Sequence, residues 1–259
     1  MSLFESQIAI GQLAKGGVDT FQEVQIPVPK PTGTDILVKV KAVSVNPIED
    51  KVRSDTSRPV DAAVVIGFDA SGIVEAVGDQ VTLFQKGDEV IYGETLVESF
   101  GIPASETENP KSILIINGAG GVGTVALILA SKVLKLKTTA WAMKFGATHT
   151  INHTLPLVCG GTLENNLEEL VPLINPLGKI GSILPAENPL ALQAGMFKSL
   201  SFHWTLMFVK SMTNIRPETQ GQILKQIAAY ADAGVISKDL VTERFAFGLE
   251  ELRTLHQKR

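Results

Sequence analysis

Gly118, Gly120 and Gly123 stand in a Gly-x-Gly-x-x-Gly spacing, with Ala119, Gly121 and Val122 filling the intervening positions. In such a loop the first glycine permits a tight turn and the second lets the backbone approach a pyrophosphate. The third lets helix and strand pack closely, while the free N–H groups of the helix face the phosphates. The chemistry this spacing supports is the holding of a dinucleotide. A bare glycine pattern is weak by itself, and a glycine-rich turn in an unrelated α/β protein is the alternative. The flanks strengthen it here: Ile113 to Ile116 is continuously apolar, and the stretch to Val133 has no proline and no further glycine. That is a parallel strand covered on both faces, running through the loop into a helix.

Composition narrows the classes. The 259 residues carry a formal net charge of -4, which gives no electrostatic reason to expect nucleic-acid binding. No apolar run reaches membrane-spanning length, and the start at Met1 lacks the basic region of a secretory signal, so the expected location is the cytoplasm, with no membrane partner. A single cysteine, Cys159, forbids an internal disulfide and a cysteine-built zinc site.

The elements that must position the glycine loop differ on its two sides. Leu37 to Val45 alternates, and Gly72 to Val77 and Glu89 to Tyr92 are further short β-type runs. Pro27, Pro29, Pro31 and Gly33, then Gly78-Asp79, then Lys86-Gly87-Asp88 punctuate them. Short strands without long intervening helices predict a β-rich domain. From Glu94 onward strand and helix alternate. Helices are expected over Leu163 to Ile174, Gln222 to Ala233 and around Leu249, Leu252 and Leu255. Strands are expected over Gly178 to Leu184 and Leu200 to Val209, the latter with Phe202, Trp204, Leu206 and Phe208 on one face.

Three ordered motifs precede the glycine loop: Asn46-Pro-Ile-Glu-Asp-Lys-Val-Arg53, Gly67-Phe-Asp-Ala-Ser-Gly-Ile-Val-Glu-Ala-Val-Gly78 and Phe84-Gln-Lys-Gly-Asp-Glu-Val90. Together they resemble the consecutive signatures of the medium-chain dehydrogenase/reductase superfamily, in particular its quinone oxidoreductase branch and the bacterial zinc-type alcohol dehydrogenase-like proteins. The resemblance covers essentially the whole chain. It implies an α/β protein with a GroES-like β-rich catalytic domain over 1–93, completed by 239–259. A Rossmann doubly wound parallel sheet domain is implied over 94–238. It also implies that relatives have more chain at Gly93/Glu94, Ala140/Trp141 and Leu157/Val158, and a final strand beyond Arg259. Connecting loops are expected to be missing at those three junctions, with neighbouring Cα atoms far more than ~3.8 Å apart.

Metal-dependent members of this superfamily hold zinc with cysteine and histidine. This chain has Asn46 where they place the first cysteine and Phe68-Asp69 where they place a His-Glu pair. His149 and His153 lie in a strand-like setting that does not cluster them, so no bound catalytic metal is expected. Without zinc, hydride transfer favours electron-poor acceptors, and donors near the acceptor's oxygen become the main protein contribution. The resemblance puts Asn46 at the nicotinamide-facing cleft and Lys51 where many relatives carry a tyrosine, making these two the catalytic candidates. The plainer readings stay open: Asn46 caps a turn ahead of Pro47, and Lys51 is a solvated helix residue. Asp69 reads as a structural acceptor, with Arg53 pairing to it or to Glu49.

Leu136 to Ala140, the end of the second Rossmann strand, contains no acid to bind a ribose, which favours NADPH over NADH. By resemblance, Cys159-Gly160 and the turn at Leu184-Pro185 border the nicotinamide half of the cofactor. The strand near Phe202 is implied to lie at a subunit edge, giving a homodimer. The function expected is a zinc-independent NADPH-dependent oxidoreductase transferring hydride to quinones, enones or related reactive carbonyls. The alternatives are a zinc-dependent alcohol dehydrogenase with ligands in further segments and a non-catalytic nucleotide-binding redox sensor.

Overall fold

A computed structural model describes residues 6–57, 60–93, 112–115, 120–139, 163, 167–186, 188–241 and 243–258. The chain divides into two compact units, Met1–Glu94 with Val241–Arg259, and Thr95–Leu240.

The first unit opens on an antiparallel pair, β1 (Ser6–Gln12) and β2 (Phe21–Pro27), in register from Ser6↔Pro27 to Gln12↔Phe21. A second antiparallel sheet has the order β3–β4–β5, with β3 at Ile36–Val43, β4 at Ala70–Val77 and β5 at Glu89–Tyr92. Gly72 on β4 permits the crossing of β3, because a Cβ there would lie 2.5 Å from the Lys39 carbonyl oxygen. Between the sheet strands runs α1 (Pro47–Ser54), started by proline at its first position and by Glu49 reaching back to the Asn46 N–H at 2.7 Å.

In the second unit β6 (Ser112–Leu114) pairs in parallel with β7 (Lys137–Thr139). Between them α2 (Gly121–Ile128) continues as a π-type turn over Leu129–Val133, burying Leu127, Ile128 and Ala130. The next elements are α3 (Leu167–Leu173), β8 (Lys179–Ser182) and β9 (Ser201–Trp204), the two strands again parallel. Leu167, Val171 and Ile180 form their core, with Leu163, Ile174, Leu190, Leu200 and Phe202 packed against it. Two helices follow, α4 (Val209–Thr213) and α5 (Glu218–Asp232), and then α6 (Leu249–Gln257) belongs to the first unit.

The parallel strands and the antiparallel β-rich portion make the mixed α/β fold that the sequence predicts. Several boundaries differ. The run expected to be strand from Leu200 to Val209 is strand only to Trp204. Its chain then turns, with the Val209 N–H bonded to the Leu206 carbonyl at 3.1 Å, and Val209–Thr213 is helical until Asn214 adopts a left-handed φ of 53°. Apolar alternation alone could not register that turn. The helix expected from Gln222 begins four residues earlier, directly after Pro217. The first antiparallel pair, β1–β2, was not expected. The three junctions where relatives carry more chain, and His149 and His153, fall on or beside residues outside those described.

Phe21 ties the first unit's two ends together. It is 1% exposed, its ring meets the buried His256 edge-on at 4.9 Å between centroids, and its carbonyl accepts a hydrogen bond from Arg253 Nη2 at 2.7 Å. Phe21→Ala is expected to lower stability by about 3–5 kcal/mol in urea unfolding of the full chain. A loss below about 1 kcal/mol would show that this contact does not anchor α6.

Candidate active site

The catalytic candidates lie at the two ends of α1, Asn46 just before it and Lys51 in its last turn. Asn46 is the residue before the helix, extended at φ -118° and ψ 160°, and its side-chain amide lies among acceptors. Nδ2 stands 2.8 Å from Ser44 Oγ, 3.2 Å and 3.3 Å from the Asp69 carboxylate oxygens and 3.4 Å from Glu49 Oε1. An amide facing a hydroxyl and two carboxylates must present its NH2 to them, which fixes its orientation. The Ser44 hydroxyl lies 2.7 Å from both Asp69 oxygens and donates to that carboxylate. Asn46 therefore starts a helix, beyond the turn cap expected, and its amide hydrogens are engaged inside this cluster.

Electrostatics follow from the crowding. Burial raises Glu49 above the ordinary carboxylate value of 4.5, hydrogen bonds from its own backbone and from Asn46 oppose that rise, and the Asp69 charge adds to it. Burial and the same Asp69 charge raise Tyr92, at the end of β5. Asp69 is an acceptor, as read from sequence, but Arg53 binds neither it nor Glu49. The Arg53 guanidinium instead pairs with Asp50 and donates to the Gly16 carbonyl. One helical turn links residues 50 and 53, so this pair forms locally, while Glu49 turns back to the helix start. Lys51 is exposed on α1.

The donor set does not fit zinc. Its members are the Asn46 amide, the Ser44 hydroxyl and the Asp69 and Glu49 carboxylates, with none of the cysteine sulfur or histidine nitrogen ligands that zinc favours. Among the described residues no group of three or more His, Cys, Asp or Glu could hold a metal ion.

In the second unit Gly120 is the residue before α2 and Gly121, Val122 and Gly123 form its first turn. The Thr124 N–H bonds back to the Gly120 carbonyl at 2.8 Å, so the preceding N–H groups have no intrahelical acceptor. A Cβ at Gly121 would meet nothing within 4 Å: protein packing does not require a glycine there, and the space suits close approach of a phosphate. Gly118 and Ala119, like Cys159 and Gly160, lie outside the described residues. Leu184 and Pro185 follow β8 after Ile183 and are exposed.

Sequence reasoning missed Ser44 and Tyr92 and the engagement of Glu49. The last was legible, since Asn46-Pro-x-Glu49 has the spacing of a reciprocal helix start. Ser44 and Tyr92 come together with Asp69 through sheet pairing and leave no local signal.

A model of the alcohol dehydrogenase GroES-like domain matches residues 32–138. A zinc-type alcohol dehydrogenase-like protein of Staphylococcus epidermidis is 32% identical over 269 residues, covering 78% of this chain and 79% of that protein. The matched stretch is longer than the chain itself, so that relative carries internal residues with no counterpart here. The chloroplastic NADPH-dependent alkenal/one oxidoreductase of Arabidopsis thaliana is 29% identical over 204 residues, 60% of this chain and 52% of that protein. Among solved structures, a candidate zinc-dependent alcohol dehydrogenase protein from Rhizobium etli superposes with a TM-score of 0.84 at 28% identity, covering 99% of this chain and 95% of that one. The chain belongs to the medium-chain dehydrogenase/reductase superfamily of oxidoreductases, and the family implies a nicotinamide cofactor.

The raised Glu49 makes stability pH-dependent with a definite sign. Between 4.5 and its folded value the folded chain keeps a proton that the unfolded chain has lost. This group's contribution to stability is therefore full below 4.5 and is lost as pH rises through the folded value. Urea unfolding at about pH 4 and about pH 8 should show a smaller fall in stability, or a larger rise, for Glu49→Gln than for wild type, because the variant lacks this loss. An equal or larger fall in the variant would contradict the assignment.

Proposed function

We propose that the chain is a zinc-independent NADPH-dependent reductase of quinones, enones and related reactive carbonyls. The observation that carries this reading is the Asn46 amide fixed on Asp69, Ser44 and Glu49, at the position where metal-dependent members, by the resemblance, hold their first cysteine. A site with that donor set must work on acceptors that need no cation to become electrophilic.

When bound, the nicotinamide supplies the hydride, which goes to an electron-poor carbon while negative charge develops on the acceptor's oxygen. The amide hydrogens of Asn46 are committed, so the role of donor to that oxygen falls to Lys51, with Asn46 holding the start of α1 in place. A lysine ammonium there both meets the charge and can deliver the proton that completes the reduction. The resemblance assigns the Gly118 to Gly123 loop to the cofactor's phosphates, and Cys159, Gly160, Leu184 and Pro185 to its nicotinamide half. NADPH rather than NADH is supported by the lack of an acid over Leu136 to Ala140, by the exposed Lys137 in β7 and by the cofactor in the Arabidopsis relative's name. Among the described residues β9 pairs with β8 alone, which supports a second copy along its other edge and hence a homodimer. No described helix is long and apolar enough to cross a membrane, and we place the enzyme in the cytoplasm.

Oxidation of NADPH should be followed with a panel of quinones, enones and simple alcohols or aldehydes. Turnover is expected with the first two groups, and Lys51→Met should lower kcat/KM by about 10–1,000-fold with little change in the thermal midpoint. Turnover confined to simple alcohols and aldehydes would refute the substrate class, NADPH binding with no turnover would refute the enzymatic reading, and an unimpaired Lys51→Met would remove Lys51 from it.

A further inference from the structure

Strands β8 and β9 end together, with Ser182 opposite Trp204 in their register. Both residues therefore stand at the carboxyl end of a parallel pair, the side on which open α/β sheets bind ligands. The chain leaves Ser182 into Ile183, Leu184 and Pro185, and the side chains of the two strand-end residues close that turn. The Ser182 hydroxyl donates to the Leu184 carbonyl at 3.0 Å and accepts from the Leu184 N–H at 3.2 Å. The Trp204 indole Nε1–H donates to the same carbonyl at 3.2 Å. Beneath them the ladder continues, with the Thr205 N–H on the Ser182 carbonyl at 2.9 Å.

Burial does not account for this tryptophan. Trp204 is 52% exposed, and Ile183 and Leu184 beside the turn are exposed too. A large ring half in solvent gains little from packing, while its N–H adds a second donor to one carbonyl that the serine already holds. The consequence is a turn whose backbone is set before any ligand arrives. A turn that must instead be ordered on binding costs affinity.

We propose that Trp204, assisted by Ser182, is a positioning residue for the nicotinamide cofactor: its indole N–H fixes the Leu184–Pro185 turn so that the turn meets the cofactor already formed. This rests on the reading of the chain as an NADPH-dependent reductase. Trp204 touches the turn and acts through it, so its effect falls on cofactor binding and leaves hydride transfer unchanged.

The test compares wild type, Trp204→Phe and Ser182→Ala, titrating NADPH by its fluorescence and measuring steady-state kinetics with a saturating enone or quinone. Phenylalanine keeps a ring and loses the N–H, while alanine at 182 removes the other donor and leaves the indole in place. Each variant should raise Kd and KM for NADPH by about three- to tenfold, the effect of one neutral hydrogen bond. The value of kcat should stay within about twofold. A merely structural role would lower the thermal midpoint without this split between KM and kcat. Kd and KM unchanged in both variants overturn the proposal, and so does a fall in kcat at constant KM. Should Trp204→Phe fail to fold, Ser182→Ala decides alone. A wild-type chain that neither binds nor oxidises NADPH sinks the parent reading and this inference with it. Normal wild-type binding with unaltered variants sinks this inference only.

Discussion

Two carboxylates, Glu49 and Asp69, share one side-chain amide, and the geometry of α1 depends on that sharing. Bringing two acidic groups together out of full solvent is unfavourable unless donors face them. The Asn46 NH2, the Asn46 backbone N–H and the Ser44 hydroxyl supply those donors. The result ties the start of α1 to the chain that enters β4. The opposite end of the helix is held as firmly. Lys15 Nζ donates to the Val52 carbonyl at 2.6 Å, the Gly16 N–H donates to the Arg53 carbonyl at 3.2 Å, and the Arg53 side chain returns to Gly16 and Asp50. A short helix fixed at both ends presents its exposed residues, Lys51 among them, in one orientation. Preorganisation of that kind is what a site without a cation must rely on.

The second unit uses a different device for the same purpose. Two places in it are set by the backbone, the start of α2 and the turn after β8. Gly121 leaves open space at the start of α2, and Ser182 with Trp204 closes the turn after β8. Backbone groups do the positioning at both places, and the side chains around them are free to differ between proteins of one fold.

The strands near Leu37, Gly72 and Glu89 and the helix after Gly120 were legible in the sequence because their signals are local: an alternation, short β-type runs between turn residues, an uninterrupted helix-forming stretch. The helix boundaries at Pro217 and Asn214 depend on a proline and on a left-handed residue, and the second carries only a weak sequence preference. Asn46, Lys51 and Asp69 could be singled out through the family's motif order. Their chemistry could not, because whether an amide donates to a substrate or to a neighbouring carboxylate is settled here by Asp69, which the pairing of β3 with β4 brings to Asn46 from 23 residues away. Arg53 shows the same limit. Glu49 and Asp69 were the partners expected, and the turn of α1 and the nearby Gly16 carbonyl give it Asp50 instead. The β1–β2 pair went unseen for another reason: its buried residues, Ile10, Gly11, Gln12 and Phe21, include a glycine and a glutamine and do not alternate with exposed ones.

The central proposal is that reduction here needs no metal, because the Lys51 ammonium, carried on a helix held at both ends, takes the cation's part. The most direct measurement joins metal analysis to turnover on one sample: the purified full chain is dialysed against a strong chelator, its zinc content is determined, and NADPH oxidation with an enone is then assayed. The account predicts far less than one zinc per chain and undiminished turnover. Activity that disappears with the metal and returns in proportion to zinc added back would contradict it.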